Sequence, residues 1–352
     1  MAVCANAAGC IYYSRQNELR YTSAIRFKNS EERSMKRRDL SIDVLKIIAM
    51  LAVVSEHMLL STGKCCLPEN VYWSIRVLCK INVNTFIIAT AYLSIGRPTR
   101  LVNCLRISLS AIIVSVASYL VSIAVFHSPL SLKELIKCFC PILSNTYWFL
   151  TSYIGLYLLI PILNEMVALF QKKGCLGTVA SMLYIVTSIY PQFYPIHANI
   201  SNGGRTLYWM VTLYFIAAAI KQKEFSKSTA ILLAILSYLA LYSSRLILNE
   251  QAMILFSNQS PLVLGLSLGI FILIRKMLYD RSSPRIVAFF ATSTLSVYLI
   301  HECYLKAQLW QYVDDMSDIS PMVLLITPIL IYFFGAVFHF FSNRLVNWIC
   351  SF

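Results

Sequence analysis

The stretch from Ser41 to Ser61 reads SIDVLKIIAMLAVVSEHMLLS, and its reading decides the fold. It is long and apolar enough to cross a bilayer as a single helix. It nevertheless carries Asp43, Lys46, Glu56 and His57. An ionisable side chain at membrane depth costs roughly 2.5–3.5 kcal/mol on insertion scales, so such residues face a protein interior or a water-filled cavity. Lys46 and His57 are eleven residues apart. At about 100° per residue that is three turns plus about 20°, which puts both on one face, about 16 Å apart along the axis. A cation towards one end and an imidazole towards the other, on one stripe, describe a site that reaches through the membrane.

Outward from this segment the chain keeps the same character. Of its 352 residues, 58% are hydrophobic and 13% are charged, against about 25% charged in a soluble domain. The apolar runs are spread over the whole length. They predict an all-α, polytopic transmembrane helix bundle of about ten spans, at 40–61, 75–95, 104–126, 146–170, 175–191, 206–221, 227–245, 259–279, 285–305 and 321–343. Cations concentrate in alternate gaps, as in Arg97, Arg100 and Arg106, Lys172 and Lys173, or Arg275, Lys276 and Arg281. The opposite gaps are poorer, and 306–320 carries Asp314, Asp315 and Asp318. This is the positive-inside pattern, and an even span count puts both termini in the cytoplasm.

The net charge of +14 is therefore a topology signal. No basic-aromatic patch of the kind that binds nucleic acid is present. Residues 1–39 are polar and basic with no signal-peptide core, and are expected to form a disordered cytoplasmic tail ahead of one membrane domain over 40–352. Met35, followed by KRRDLSIDVLK, reads as an alternative start of translation. Peptides from 1–34 in native protein would contradict that. The eleven cysteines show no CxxC pair and no metal-ligand spacing, so no metal is expected. Cys65-Cys66 and Cys138-x-Cys140 are read as small apolar residues ahead of a disulfide.

His57 is the first candidate for chemistry. Neutral imidazole near pH 7 suits general-base work on a hydroxyl. Glu56 is its candidate partner, although it sits 100° round the helix. Lys46 and Asp43 are spaced i,i+3, so Lys46 either pairs with Asp43 or binds an anion, and the residues alone leave both open. Arg97-Pro98-Thr99-Arg100 serves topology, and the guanidinium fork also fits phosphate. Tyr147-Trp148-Phe149 opens the fourth span as an interfacial aromatic belt that could also stack on a sugar. Ser296-Val-Tyr298-Leu-Ile-His301 places a second histidine near the outer end of the ninth span, at a depth comparable with His57.

Together these pieces resemble the membrane acyltransferase-3 family, bacterial enzymes that acylate cell-surface glycans and related acceptors. The likeness runs from about Asp39 to the C-terminus. The family's acidic residue, Arg, ten residues and His in the first span correspond to Asp43, Lys46 and His57. Phe86-Ile-Ile-Ala-Thr90-Ala91-Tyr92 stands in place of the family's phenylalanine-rich run ending in Ser-Gly. Arg97 and Arg100 match its Arg-x-x-Arg, Tyr147 to Leu150 with Pro161 its aromatic-Trp-Phe-Leu and proline, and Leu213 to Ile216 and Tyr298 to His301 two further blocks. Lys46 departs from the family's Arg, and remains a competent phosphate binder as a point charge.

The resemblance implies acetyl-CoA as acyl donor, with its phosphates meeting Lys46, Arg97 and Arg100 from the cytoplasm. It implies His57 as the catalytic group, beside which the residues themselves place Glu56 as the candidate partner. It further implies an acceptor, a surface polysaccharide or lipid-linked sugar, near Tyr147, Trp148 and His301 on the outer side of a bacterial cytoplasmic membrane. Acylation of a small metabolite or a lipid is the second enzymatic version. A transporter or flippase for lipid-linked sugars is the competing class. That class would show inverted repeats with Gly- or Pro-interrupted half-helices in matching positions, and no such pairing is found.

Overall fold

The computed structural model describes residues 38–62, 67–193 and 202–350. The expectations for the tail, for Met35 and for Cys65-Cys66 lie outside the described residues. The described chain is built of helices joined by turns and loops, with a single isolated bridge between Asp39 and Ser282. In chain order the helices are α1 (Leu40–Ser61), α2 (Glu69–Cys79), α3 (Asn82–Ser94), α4 (Leu101–Phe126), α5 (Leu132–Phe139), α6 (Trp148–Lys172) and α7 (Leu176–Tyr184). They continue with α8 (Leu207–Lys221), α9 (Lys227–Leu248), α10 (Pro261–Met277), α11 (Arg285–Thr292), α12 (Thr294–His301), α13 (Lys306–Ile319) and α14 (Met322–Ile349).

Among the described residues six segments are long and apolar enough to cross a membrane: α1, the run Glu69–Ser94 through α2 and α3, α4, α6, α9 and α14. A seventh follows if α11–α12 and α13, bent by 90°, count as one broken span. The difference from ten is one of length. Each expected run is mostly helical, with 75–95 interrupted between α2 and α3, but α8, at 15 residues, rises only about 22 Å, short of the ~30 Å hydrocarbon core. The expected span 285–305 breaks because α12 stops at His301 and α13 leaves at a right angle. Exposed apolar side chains such as Leu236, Leu239, Phe333 and Phe334 cover the outer faces of α9 and α14. Such faces suit lipid, since the helices satisfy their own backbone.

Helix α1 is central, packing against α3, α10, α11, α12 and α14. Its start is fixed by Asp39, which accepts from the Ser41 backbone N–H at 3.0 Å and so fills one of the orphan donors of the first turn. Arg275 of α10 donates to the same carboxylate and to Ser41 Oγ, tying α10 to that end. Close helix crossings use glycine. A Cβ on Gly335 of α14 would lie 2.7 Å from Val297 Cα of α12, so only hydrogen fits there. That contact seats α12, which carries His301.

Candidate active site

Three hollows follow the stripe along α1. At its N-terminal end a cavity of about 700 Å³ is lined by Lys46, Asp43, Arg97, Thr90, Tyr153 and Tyr298 among others. Asp43 does not pair with Lys46. Arg38 takes it in a two-pronged contact at 2.9 and 2.7 Å. Lys46 forms no ion pair among the described residues, so its ammonium remains available to an anion in the cavity. Lys221 is already engaged with the Tyr92 and Ile95 carbonyls at 3.0 and 3.3 Å, where it caps α3.

At the other end of α1, His57 meets α12. Its Nδ1 lies 2.8 Å from Glu302 Oε1 and 3.1 Å from His301 Nε2. His301 Nδ1 is 2.7 Å from the Val297 carbonyl oxygen, and a carbonyl only accepts. His301 therefore holds its proton on Nδ1 and, as a neutral ring, accepts on Nε2. The Nδ1–H of His57 is then shared between Glu302 and His301, which leaves His57 Nε2 as a free base. Neighbours in sequence, His301 and Glu302, reach the same imidazole because α12 ends between them: Glu302 is the capping residue, at φ −106° and ψ 6°. The three ligand-type atoms lie within 4.8 Å of one another, the one such group among the described residues close enough to hold a metal ion. Hydrogen bonding accounts for their approach without one.

His57 also joins the hollows. A small pocket of about 30 Å³ is lined by His57, Met50, Val53, Phe86, Trp148, Phe149 and Tyr298. It shares Met50, Phe86, Phe149 and Tyr298 with the large cavity. On its other side His57 lines a cavity of about 580 Å³ with Ser61, Glu302, Lys306, Trp310, Gln311 and Asp314. One imidazole thus stands between a basic chamber and a polar one.

A family model described as an acyltransferase domain matches residues 39–347. The chain belongs to the acyltransferase-3 family. It is a multi-pass membrane acyltransferase, and the match covers the whole helical bundle. No curated protein and no solved structure gives a match.

Within this acyltransferase-3 bundle the other expected site residues separate. Arg97 lines the basic cavity with Lys46. Arg100, exposed at the start of α4, makes backbone contacts to the Tyr157 hydroxyl and does not line it. Trp148 lines the small pocket. Tyr147 is buried behind it, with its hydroxyl 3.1 Å from Ser115 Oγ. Glu56 turns away from His57 to Lys80 and Asn82, where the chain breaks between α2 and α3. That buried ion pair explains the second carboxylate on α1. Removing one partner strands the other, so Lys80→Met is expected to destabilise the protein by about 3–5 kcal/mol. Thermal unfolding in detergent checks this; an unchanged Tm would mean that Glu56 is held by something else. Glu302, not Glu56, is the carboxylate beside His57. Its only sequence signal was its place after His301 at a helix end.

Proposed function

We propose that this acyltransferase moves an acetyl group from cytoplasmic acetyl-CoA to a hydroxyl of an extracytoplasmic glycan, or of a lipid-linked glycan precursor, in a bacterial cytoplasmic membrane. The observation that carries the reading is that His57 lines both the small pocket, which adjoins the basic cavity, and the polar cavity beyond. Lys46 and Arg97 suit the phosphates of the donor, since charged donors make the stronger bonds to phosphate. The pocket of about 30 Å³ beside His57 is walled by Phe86, Phe149 and Trp148. It has room for about two waters, which favours acetyl over longer acyl chains.

The acceptor enters from the polar cavity, where Trp310 offers an apolar ring and Ser61, Gln311 and Asp314 offer hydrogen-bonding groups. Such a mixture suits a sugar. His57 Nε2 takes the hydroxyl proton as the oxygen attacks the thioester carbonyl. The C–S bond then breaks, and the imidazolium returns the proton to the sulfur of CoA. Glu302 stabilises the imidazolium while it exists, and its contact with His57 Nδ1 keeps Nε2 facing the reaction.

The acceptor class is tested by NMR of surface glycans from a deletion strain complemented with wild type or with His57→Ala. Acetyl signals are expected with wild type alone; identical signals in all strains would sink the glycan reading. The donor end is tested separately by CoA binding. Lys46→Ala and Arg97→Ala should each weaken it about tenfold or more, the scale of a lost bond to a charged group. Arg100→Ala should leave it unchanged, because that side chain does not line the cavity. Wild-type affinity in both of the first two variants would place CoA elsewhere.

A further inference from the structure

Tyr298 is buried, with 4% of its surface exposed; the Phe149 backbone N–H points to its oxygen, but its hydroxyl proton has no acceptor among the described residues. Burying a hydroxyl donor without an acceptor is costly, and native proteins leave few of them. The ring is held on several sides. It packs against Tyr147, Phe149 and His301, with ring centroids 6.1, 5.6 and 5.8 Å away. Phenylalanine would make all of those ring contacts, so packing alone does not call for the oxygen.

Position supplies a reason. Tyr298 lines both the basic cavity and the small pocket that His57 lines. It stands one turn before His301 on α12, so the helix that presents His301 to His57 also presents this hydroxyl. The small pocket is lined as well by Trp148 and Phe149, the first two residues of α6. The N-terminal turn of a helix carries partial positive charge and backbone N–H groups without intrahelical acceptors. The Tyr298 hydroxyl and this helix start lie where the two hollows meet, which is where a thioester carbonyl reaching from Lys46 towards His57 would lie.

We propose that Tyr298 is a catalytic residue whose hydroxyl donates to the acyl carbonyl oxygen and to the oxyanion that forms on it. The inference rests on the acyl-CoA reading above. In the step, the acceptor oxygen bonds to the carbonyl carbon and the C=O electron pair moves to the oxygen. Tyr298 keeps its proton and hydrogen-bonds the new negative charge. When the carbonyl reforms, the C–S bond breaks and the sulfur takes the proton that His57 carries. A donor of this kind acts on the transition state more than on the ground state, and losing one typically costs about 10²–10³ in kcat.

The test compares wild type, Tyr298→Phe and His57→Ala in membranes of the host strain, where the native acceptor is present, using radiolabelled acetyl-CoA. Tyr298→Phe is expected to lower kcat about 10²–10³-fold, with the KM for acetyl-CoA little changed. Its Tm in detergent should change little, because the hydroxyl proton has no intramolecular acceptor to lose and the Phe149 N–H contact is the one bond removed. Tyr298→Phe with wild-type kcat, while His57→Ala is inactive, overturns this inference alone. A fall in Tm with a raised KM would make Tyr298 a packing residue and also overturn it. If His57→Ala turns over like wild type, the acyl-transfer reading itself fails, and with it the role of Tyr298.

Discussion

His57→Ala lowers acetyl transfer by roughly 10²–10⁴-fold, the range that a positioned general base contributes, while the bundle stays folded and inserted. The size follows from what the imidazole does and does not hold. His57 is only partly buried and bonds through Nδ1 to two residues of one neighbouring segment, Glu302 and His301. Its removal opens a space between the small pocket and the outer cavity and leaves the buried ion pair of Glu56 and Lys80 intact. Stability should therefore change far less than rate. His57→Gln is a useful companion, since it fills the space with a polar group that cannot take the proton. If both variants fold and both retain wild-type turnover, His57 is not the base.

Glu302→Gln is expected to cut kcat by roughly 10²-fold or more, with the KM for acetyl-CoA unchanged. The carboxylate lies 2.8 Å from His57 Nδ1, where its charge favours the imidazolium and its acceptor oxygens hold the proton on Nδ1. An amide there is neutral and can present its NH₂ to the ring, which favours the unreactive tautomer; in a serine-protease triad the matching change costs about 10⁴. Glu302 also lies 3.5 Å from Lys306 Nζ. Lys306→Ala removes that ion pair, worth about 0–1 kcal/mol; because Lys306 also lines the polar cavity, its effect is expected on the KM for the acceptor, with kcat falling far less than in Glu302→Gln. Equal losses in Glu302→Gln and Lys306→Ala would make the pair a structural strap rather than an aid to His57.

Much of this site was legible in residues 41–61. The spacing of Lys46 and His57 set the direction of the stripe, and helical geometry alone requires both to share a face. The part that was not legible depends on where other elements break. Glu56 looked like the partner of His57 because it adjoins it, but adjacency on a helix means 100° of separation, and the α2–α3 break supplies Lys80 and Asn82 instead. Glu302 adjoins His301 in the same way, yet it does reach His57, because the helix stops between the two. Asp43 was a fair partner for Lys46 at i,i+3 until Arg38, from just ahead of the helix, took both of its oxygens. The span count suffered from a related limit. Hydropathy marks apolar runs, while α8, α10 and the bent α11–α13 region are set by where the chain turns.

In the proposed reaction His57 connects a donor on one side of the membrane with an acceptor on the other. Purified protein in sealed vesicles tests it most directly, with orientation fixed by protease access and radiolabelled acetyl-CoA confined to the face where Lys46 and Arg97 open. The acceptor glycan is placed only on the opposite face. Label is expected on the acceptor with wild type and not with His57→Ala, while the vesicles stay impermeable to CoA. Labelling only when donor and acceptor share one compartment would contradict the account.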